Sequence, residues 1–390
     1  MAKIKENPKA NYDIPGSQLY VTRVSNLWKL FGENKTSKSK IPLKLRIYFF
    51  SIISTPLQWL QRLILMFKFR NFDLSKTSPV FILGHWRSGT THVHYTLAKD
   101  KQFAYLNNFQ SFFFSISMLG MGWLNKLLGP LVPSTRPMDN MEMTLSKPQE
   151  EEQVLSNITT AAGVNSFYFP KNRSYFYKYN LFQGISNKEY AKWKKDYTYI
   201  LKAIAKMKKG NGRLLLKNPN NTARIKQLLE LFPKAKFVFI HRNPFQVYLS
   251  TKHLHRAVLR SQRLQDISNE EEEEMILENY RLIMQGYLDT RDLVPKGSLV
   301  EIAYGDIGKE GELDVFKHIY ETLELGDWEQ IKPTIQSYLA SKKGYKKNKF
   351  IPIDPEMVKR IQKEWGFIFE EYGYDLEYKD DTASTIAPKN

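Results

Sequence analysis

The amino-acid sequence predicts an α/β fold in which helices flank a parallel, P-loop-like β-sheet. Four short apolar runs alternate with stretches of helical periodicity, and a turn rich in small residues follows the first run directly. Such runs are typical of strands buried on both faces, and their alternation with helices favours parallel strands joined by right-handed crossovers. The four predicted strands are residues 80–83, 214–216, 237–240 and 299–303.

Length and composition limit what the chain can be. Its 390 residues are 42% hydrophobic and 14% aromatic, enough for one large domain or two, so wholesale disorder and fibrous repeats are excluded. Because the chain has no cysteine, disulfide scaffolds, cysteine nucleophiles, Fe–S clusters and thiolate zinc sites are excluded. A net charge of +18 favours an anionic partner, but no RNA- or DNA-binding motif accompanies the basic stretches, so we expect no nucleic acid.

We expect three regions along the chain. Residues 1–72 form a basic N-terminal arm and an amphipathic helical segment, and residues 381–390 form a polar tail. The main domain spans residues 73–380 and contains a largely helical insertion at about 104–210, which should carry an acceptor site. The N-terminus begins MAKIKENP and lacks the apolar core and cleavage site of a secretory signal, so we expect a cytoplasmic protein.

The apolar stretch at residues 41–72 is interrupted by Arg46, Pro56 and Gln58. A membrane-spanning helix needs about 20 consecutive apolar residues, so this stretch does not predict one. It predicts a helix that lies either on the rest of the protein, which is the leading interpretation, or on a membrane surface. The predicted apolar face consists of Trp59, Leu60, Ile64 and Leu65.

A phosphate-binding turn is predicted between the first strand and the following helix, at GHWRSGTT, residues 84–91. Small residues let backbone N–H groups approach an anion, and the helix N-terminus adds unpaired donors and the positive end of its dipole. In a Walker A loop a Lys follows the second Gly, whereas here Thr90 holds that place and the cation is Arg87.

The third predicted strand ends in His-Arg-Asn-Pro, which places Arg242 at its carboxyl end. A nucleoside triphosphatase would be expected to have an Asp near such a position to hold magnesium. An Arg suits a second anionic group instead, so a ligand with two separated phosphates would satisfy both motifs.

These two segments resemble the cofactor motifs of the PAPS-dependent sulfotransferases, and more closely the bacterial branch whose loop is G-x-x-R-S-G-T-T. The match runs from about residue 80 to residue 306. It implies 3′-phosphoadenosine 5′-phosphosulfate (PAPS) as sulfuryl donor, with no metal, and a 3′-phosphate held by Arg242 and Ser250. The residues implied to grip the 5′-phosphosulfate are Arg87, Ser88, Gly89, Thr90 and Thr91.

The resemblance implies roles for further residues. Lys217 is similar to the lysine that stabilises charge on the bridging oxygen as the sulfuryl group leaves, and Tyr304 to a nucleotide contact. Core packing is an equally good interpretation of Tyr304. Lys347 and Asn348 resemble a C-terminal element that closes over the 3′-phosphate.

A general base for the acceptor hydroxyl is the missing part. In several family branches an acid or a His follows the loop helix, but residues 104–111 are AYLNNFQS. The candidates lie in the charged segments 136–139 and 148–152, and we select Glu150 or Glu152. The alternative is that these acids occupy the first turn of a solvated helix beginning near Pro148.

We therefore expect sulfuryl transfer to a hydroxyl or amine acceptor, with release of adenosine 3′,5′-bisphosphate. The interrupted apolar stretch and the surrounding lysines favour a lipid-like acceptor taken at a membrane surface. A carbohydrate acceptor would fit if the aromatic clusters at 167–169 and 175–177 lined a sugar groove. The alternatives from other classes are a nucleotide-dependent kinase or NTPase and a non-catalytic nucleotide-binding module. The oligomeric state does not follow from the sequence.

Overall fold

The computed structural model describes residues 17–379 apart from short gaps at 71, 75–76, 121, 123–125, 128, 132–133, 137, 140, 209–211, 343–347 and 349. The predicted tail at 381–390, residues 1–16 of the predicted arm and Lys347 therefore lie outside the described residues.

A parallel five-stranded sheet organises the described part of the chain, which confirms the predicted fold class. The spatial order is β2-β3-β1-β4-β5. The strands are β1 (Val80–Leu83), β2 (Phe103–Ala104), β3 (Arg213–Lys217), β4 (Lys236–His241) and β5 (Leu299–Ala303). The chain leaves the central strand β1 toward one edge and later returns to its other side at β4, so β1 marks the topological switch point, where open α/β sheets bind ligands.

The sequence analysis missed strand β2. This strand is only two residues long and pairs only with β3, through Phe103 opposite Arg213 and Ala104 opposite Leu214. Two residues are too few to produce an apolar run, so the first and second predicted strands are in fact β1 and β3. The long connection to β3 consequently starts from β2.

Helices cover both faces of the sheet. The segment before β1 contributes α1 (Val24–Glu33) and α2 (Ile41–Lys68). Between β1 and β3 lie α3 (Thr90–Leu97), α4 (Asn108–Phe112), α5 (Glu151–Ile158), α6 (Asn165–Tyr168), α7 (Arg173–Leu181) and α8 (Asn187–Met207), so the predicted insertion is largely helical. Next come α9 (Ile225–Leu231), α10 (Pro244–Leu254), which extends through a π turn (His255–Leu259) to Gln262, α11 (Asn269–Leu288), α12 (Glu312–Thr322), α13 (Trp328–Ala340) and α14 (Pro355–Tyr372).

Side chains that alternate along the strands divide between two apolar cores, because successive residues of a strand point to opposite faces. Val80 and Ile82 pack into the core that contains residues of α3, α12 and α13. Phe81 and Leu83 pack into a larger core shared with α1, α2, α8, α11 and α14. The helical N-terminal segment is therefore part of the same core as the sheet.

Helix α2 packs with one face only. Leu43, Ile47 and Leu65 are buried against the protein, whereas Trp59 and Leu60 are exposed. The predicted apolar face is thus split: its first two residues point outward and Leu65 points inward. Among the described residues, no helix combines the length and the apolar character needed to cross a bilayer.

Candidate active site

The turn between β1 and α3 requires glycine at two positions. Gly84 has φ +132°, and a Cβ there would lie 2.5 Å from the Ile240 carbonyl oxygen. Gly89 has φ +101°, and a Cβ there would lie 2.4 Å from the Tyr304 ring. Arg87 also has a positive φ, +73°, which for a non-glycine residue costs on the order of 1–3 kcal/mol and is typical of functional turns. The sequence thus folds here into one tightly defined conformation.

Neighbouring elements anchor this turn. The Gly84 N–H donates to the Thr222 hydroxyl at 2.8 Å, across the carboxyl edge of the sheet. The His85 ring is buried and contacts the Trp86 carbonyl at 2.9 Å and the Asn279 side chain at 3.2 Å. Burial lowers the pKa of His85 to about 4, so the ring is neutral near pH 7. The loop is therefore fixed on both sides before any ligand arrives.

The structure brings four of the predicted binding residues together. Arg87 Nε donates to the Ser250 hydroxyl at 2.9 Å, and Arg242 donates to the Arg87 carbonyl oxygen at 2.9 Å. The Arg242 guanidinium lies 4.2 Å from the centre of the Tyr304 ring, within cation–π range. The strand register explains this grouping. His241, the last residue of β4, pairs with Ala303, the last residue of β5, so Arg242 and Tyr304 follow side by side at the carboxyl ends of adjacent strands.

The remaining loop residues lie at the start of α3. Ser88 and Thr90 are buried, and the Ser88 N–H donates to the His85 carbonyl at 3.2 Å. The Thr91 hydroxyl accepts from Arg136 at 3.4 Å. The predicted 5′-phosphosulfate residues thus occupy one continuous turn with a second cation beside it.

The buried carboxylate of Asp139, in one of the two segments considered for the general base, lies between two guanidinium groups. Asp139 accepts from Arg87 at 2.8 Å and pairs with Arg136 at 3.4 Å. Burial alone would raise the pKa of Asp139, but Arg136 and Arg87 hold this pKa below its ordinary value. The three-residue spacing of Arg136 and Asp139 in the sequence could have predicted their ion pair. Nothing in that spacing indicates the contact of Asp139 with Arg87.

Lys217 ends β3 and points to the same edge of the sheet. Its side chain is 5% exposed, and its ammonium forms an ion pair with Glu150, whose side chain is 13% exposed. Burial lowers the pKa of Lys217, and the Glu150 carboxylate opposes that shift. The buried His94 is close enough to Lys217 for its pKa, already far below normal because of burial, to be lowered further by the ammonium.

Glu152 lies in a different environment from Glu150. Arg224 donates to its two oxygens at 2.6 and 2.9 Å, while Asn218 and the Gly163 N–H donate at 2.7 and 2.8 Å. Burial alone would raise the pKa of Glu152, but Arg224 keeps it below its ordinary value. With both oxygens occupied in the interior, Glu152 is positioned as a structural residue, and of the two predicted bases only Glu150 contacts Lys217.

The interpretation of the acids as a solvated first turn is wrong for Glu151 and Glu152. Both are 1% exposed, because α5 (Glu151–Ile158) begins beneath the sheet edge and points its first turn inward. Glu151 accepts from Tyr197 at 2.9 Å and from Asn221 at 2.8 Å, and burial raises its pKa to about 7.

The C-terminal element reaches the same region. Asn348 donates to the Met138 carbonyl at 2.9 Å, and Arg87 donates to that carbonyl at 3.3 Å. Asn348 is thus adjacent to the segment that holds Arg87.

The aromatic clusters do not line a groove. Five of their six side chains are buried, four of them in the larger core, where Phe169 and Phe176 stack with ring centroids 6.2 Å apart. The buried members are Phe167, Tyr168, Phe169, Phe176 and Tyr177. In the described part of the chain, no group of three or more His, Asp and Glu side chains is arranged to hold a metal ion.

Comparison with known proteins identifies the same family as the motif at residues 84–91. The model of the sulfotransferase family matches residues 79–330. Omega-hydroxy-beta-dihydromenaquinone-9 sulfotransferases of Mycobacterium bovis and Mycobacterium tuberculosis are each 32% identical over 300 residues, which cover 76% of this chain and 75% of theirs.

Solved structures share the fold. The sulfotransferase STF9 from Mycobacterium avium superimposes with a TM-score of 0.62 at 16% identity, covering 92% of this chain and 98% of that one. The sulfotransferase STF1 from Mycobacterium tuberculosis superimposes with a TM-score of 0.60 at 13% identity, covering 88% of this chain and 91% of that one. The family match and the curated relatives confirm the predicted family: the chain is an enzyme of the sulfotransferase family.

Proposed function

We propose that this enzyme transfers the sulfuryl group of PAPS to a hydroxyl group on a lipid-like acceptor and releases adenosine 3′,5′-bisphosphate. The observation that carries the proposal is the grouping of Arg87, Ser250 and Arg242 at the switch point of the sheet, where one 2.9 Å hydrogen bond joins Arg87 to Ser250 and another joins Arg242 to Arg87. These are the residues that the family resemblance assigns to the two phosphate ends of the donor.

The residues present suit an anionic donor. Asp139 supplies a carboxylate to Arg87 and Arg136, so the unliganded site already satisfies its two buried guanidinium groups with a negative charge. A donor sulfate or phosphate would compete with Asp139 for the same hydrogen-bond donors. The glycines of the turn leave space for close backbone approach, which a Cβ would fill.

PAPS would supply an activated sulfuryl group, and this chain would supply cations and a base. Sulfuryl transfer resembles phosphoryl transfer in having a loose, charge-rich transition state, so preorganised cations do most of the catalytic work. We assign Arg87 and the start of α3 to the 5′-phosphosulfate and Lys217 to the bridging oxygen. Arg242, Ser250, Tyr304 and the segment containing Lys347 and Asn348 are assigned to the bisphosphate portion.

We assign Glu150 as the general base. A base must lie within hydrogen-bond reach of the acceptor proton, and Glu150 contacts Lys217 while remaining partly exposed. In the resting enzyme the Lys217 ammonium pairs with this carboxylate. When the ammonium turns to the bridging oxygen, Glu150 is left beside the reacting centre as a proton acceptor.

Two observations support a lipid-like acceptor. The curated relatives act, by their name, on a hydroxylated menaquinone, which is an apolar molecule bearing a hydroxyl group. Beside Glu150, the segment after β2 is held by hydrogen bonds from the Gln149 N–H to the Leu106 carbonyl and from the Asn108 N–H to the Lys147 carbonyl. It continues into residues 109–118, six of which are apolar. With the aromatic clusters buried, no comparable support exists for a carbohydrate acceptor. We further propose that the enzyme works in the cytoplasm as a peripheral protein at the membrane that holds its acceptor.

Thermal stability tests the donor assignment, because a ligand that binds only the folded state raises the melting temperature by mass action. We expect adenosine 3′,5′-bisphosphate to stabilise the protein, ATP with magnesium to have little effect, and Arg242→Ala to abolish the bisphosphate effect. Stabilisation by ATP and magnesium alone would contradict the proposal and favour a kinase. With the donor established, transfer of ³⁵S from labelled PAPS to hydroxylated and non-hydroxylated isoprenoid lipids tests the acceptor.

A further inference from the structure

Helix α2 carries a large apolar surface on its outward side. Twelve of its large apolar residues are exposed, with exposed fractions from 38 to 72%. We call this the outer face of α2: Ile41, Leu45, Phe49, Phe50, Ile52, Ile53, Leu57, Trp59, Leu60, Leu63, Met66 and Phe67. With 28 residues at 1.5 Å each, the helix is about 42 Å long, so the face is a long continuous stripe. Such patches on a protein surface mark interaction sites.

Polar residues on the inward side fix the rotation of this helix. Ser51 donates to the Tyr20 carbonyl at 3.1 Å, and Gln61 donates to the Phe114 carbonyl at 2.7 Å while accepting from the Met118 N–H at 2.7 Å. Ser54 and Gln58 are also buried and hydrogen-bonded to each other at 2.9 Å. Rolling α2 to bury its apolar side would break these buried hydrogen bonds, at a cost of about 1–3 kcal/mol for each group left unsatisfied. The outer face is therefore held outward by the fold.

The charges on α2 are of one sign. The helix contains Lys44, Arg46, Arg62 and Lys68 and no Asp or Glu. By helical periodicity, Lys44 and Arg62, which are five turns apart, border one side of the outer face. Lys68 borders the other side, and Arg46 lies within the face close to that side. A broad apolar stripe with cations along both borders and a Trp among its residues is the pattern of a helix that lies in a membrane interface.

We propose that the outer face of α2 is the surface through which the protein docks on a bilayer containing anionic lipids, with the helix axis parallel to the membrane plane. Apolar side chains would enter the boundary between headgroups and acyl chains, and the four cations would meet anionic headgroups. This inference rests on α2 alone and does not depend on the donor or the acceptor of the proposed reaction.

Other occupants fit the surface less well. A second copy of this chain would bring four further cations against the four on α2, with no acid on either helix to pair with them. Residues 1–16 of the chain hold only Met1, Ile4 and Ile14 as large aliphatic side chains, too few to cover twelve exposed apolar residues. Charge complementarity therefore selects an anionic lipid surface.

The absence of cysteine from the chain allows a direct test. In the Ile53→Cys variant the new thiol is the sole one and can carry an environment-sensitive fluorophore; Leu293→Cys, at an exposed leucine outside α2, is the matched control. We expect a blue shift at position 53, and none at 293, on addition of vesicles of phosphatidylcholine with phosphatidylglycerol. Absence of a shift at position 53 would overturn the proposal.

Vesicle sedimentation measures the contribution of the face itself. We expect Ile53→Gln combined with Trp59→Gln to lower the vesicle partition coefficient by roughly tenfold or more, since binding scales with buried apolar area. Leu293→Gln combined with Leu376→Gln removes two exposed leucines elsewhere and should leave partitioning unchanged. Retention of the bisphosphate thermal shift shows that the α2 variant is folded; should that shift be absent in the wild type too, circular dichroism serves the same purpose.

Two further results would overturn the proposal. Equal partitioning of the α2 variant and the wild type would show that another surface binds lipid. A stable dimer by light scattering that the α2 variant abolishes, with no vesicle binding by the wild type, would show that a second copy covers the face.

Discussion

Glu150 and Glu152 are two residues apart, yet helix α5 gives them opposite environments. Glu150 precedes the first turn and reaches Lys217 at the sheet edge, whereas Glu152 points into the interior against Arg224. The proposed base and the structural acid thus differ in where their side chains point: Glu150 toward Lys217 and Glu152 toward Arg224. This difference can be measured by the same substitution at both positions.

We expect Glu150→Gln to lower turnover by about 100-fold or more, because the proposed general base is lost. The free energy of unfolding should fall less than in Glu152→Gln, because the buried Lys217, left without its counter-charge, can lose its proton whereas an arginine cannot. Glu152→Gln should instead lower the free energy of unfolding by about 3 kcal/mol or more, because it leaves the buried Arg224 without its counter-charge. Steady-state rates and urea unfolding of the two variants distinguish these effects. Full activity of a folded Glu150→Gln variant would exclude Glu150 as the base.

A substitution at Lys217 should affect turnover without affecting nucleotide affinity. Replacing it with Met, which fills a similar volume, should reduce turnover by about 100-fold or more, as expected when one donor to developing charge is removed. Affinity for adenosine 3′,5′-bisphosphate should stay nearly intact, since that product lacks the departing sulfuryl group; isothermal titration checks it. Loss of bisphosphate binding, with no turnover in either form, would favour a non-catalytic nucleotide-binding module.

At the scale of an element, the turn between β1 and α3 depends on the aromatic ring of a distant strand end. Tyr304 follows β5 and covers Gly89, so the loop and the last strand fit together only if residue 89 has no side chain. Packing of Tyr304 and its proposed nucleotide contact are therefore compatible, since the ring also lies against Arg242.

We expect Gly89→Ala to abolish bisphosphate stabilisation, because the new Cβ requires both movement of Tyr304 and a strained φ of +101°. Gly366→Ala, in helix α14 with nothing within 4 Å of the added Cβ, is the control and should raise stability slightly. Thermal shifts with and without the bisphosphate compare the two. An unchanged ligand shift in Gly89→Ala would show that the loop tolerates the change and does not hold the nucleotide as proposed.

At the scale of the whole molecule, buried titratable groups set the acid stability. Burial lowers the pKa of His85 to about 4, that of His255 to about 3 and that of His94 far below normal. Between pH 6.5 and about 4 these three rings gain protons only when the protein unfolds, so falling pH favours the unfolded state. Glu151, with its pKa raised to about 7 by burial, acts in the opposite direction because it is protonated in the folded protein and ionised in the unfolded one above about pH 4.5.

These pKa shifts predict that the free energy of unfolding depends steeply on pH. Three protons gained on unfolding by the histidines and one lost by Glu151 leave a net uptake of about two, so the free energy of unfolding should fall by roughly 2–3 kcal/mol per pH unit between pH 6 and 5. Glu151→Gln removes the opposing contribution, and the slope should then approach that for three protons. Urea unfolding at pH 5, 5.5, 6 and 7 measures both slopes. Equal slopes would show that Glu151 is ionised in the folded protein.

Much of the site could be predicted because its signals are local. The strand, the loop at residues 84–91 and the helix after it are contiguous, and so are the His-Arg-Asn-Pro strand end and Ser250 on the next helix. In a parallel sheet the carboxyl ends of all strands meet at one edge, so two such motifs belong to one site without further information.

The fold class, the family and the residues proposed for the donor could be predicted from the sequence, because they follow from short segments whose backbone conformation is set by neighbouring residues. The tertiary structure alone decided which glutamate faces Lys217, that Asp139 lies between Arg87 and Arg136, that β2 exists, and which side of α2 is exposed. Each of these depends on contacts between residues distant in the chain. For α2, the hydrogen bonds from Ser51 and Gln61 to distant backbone groups hold the polar side inward, so an apolar pattern that predicts core residues is instead presented to the surroundings.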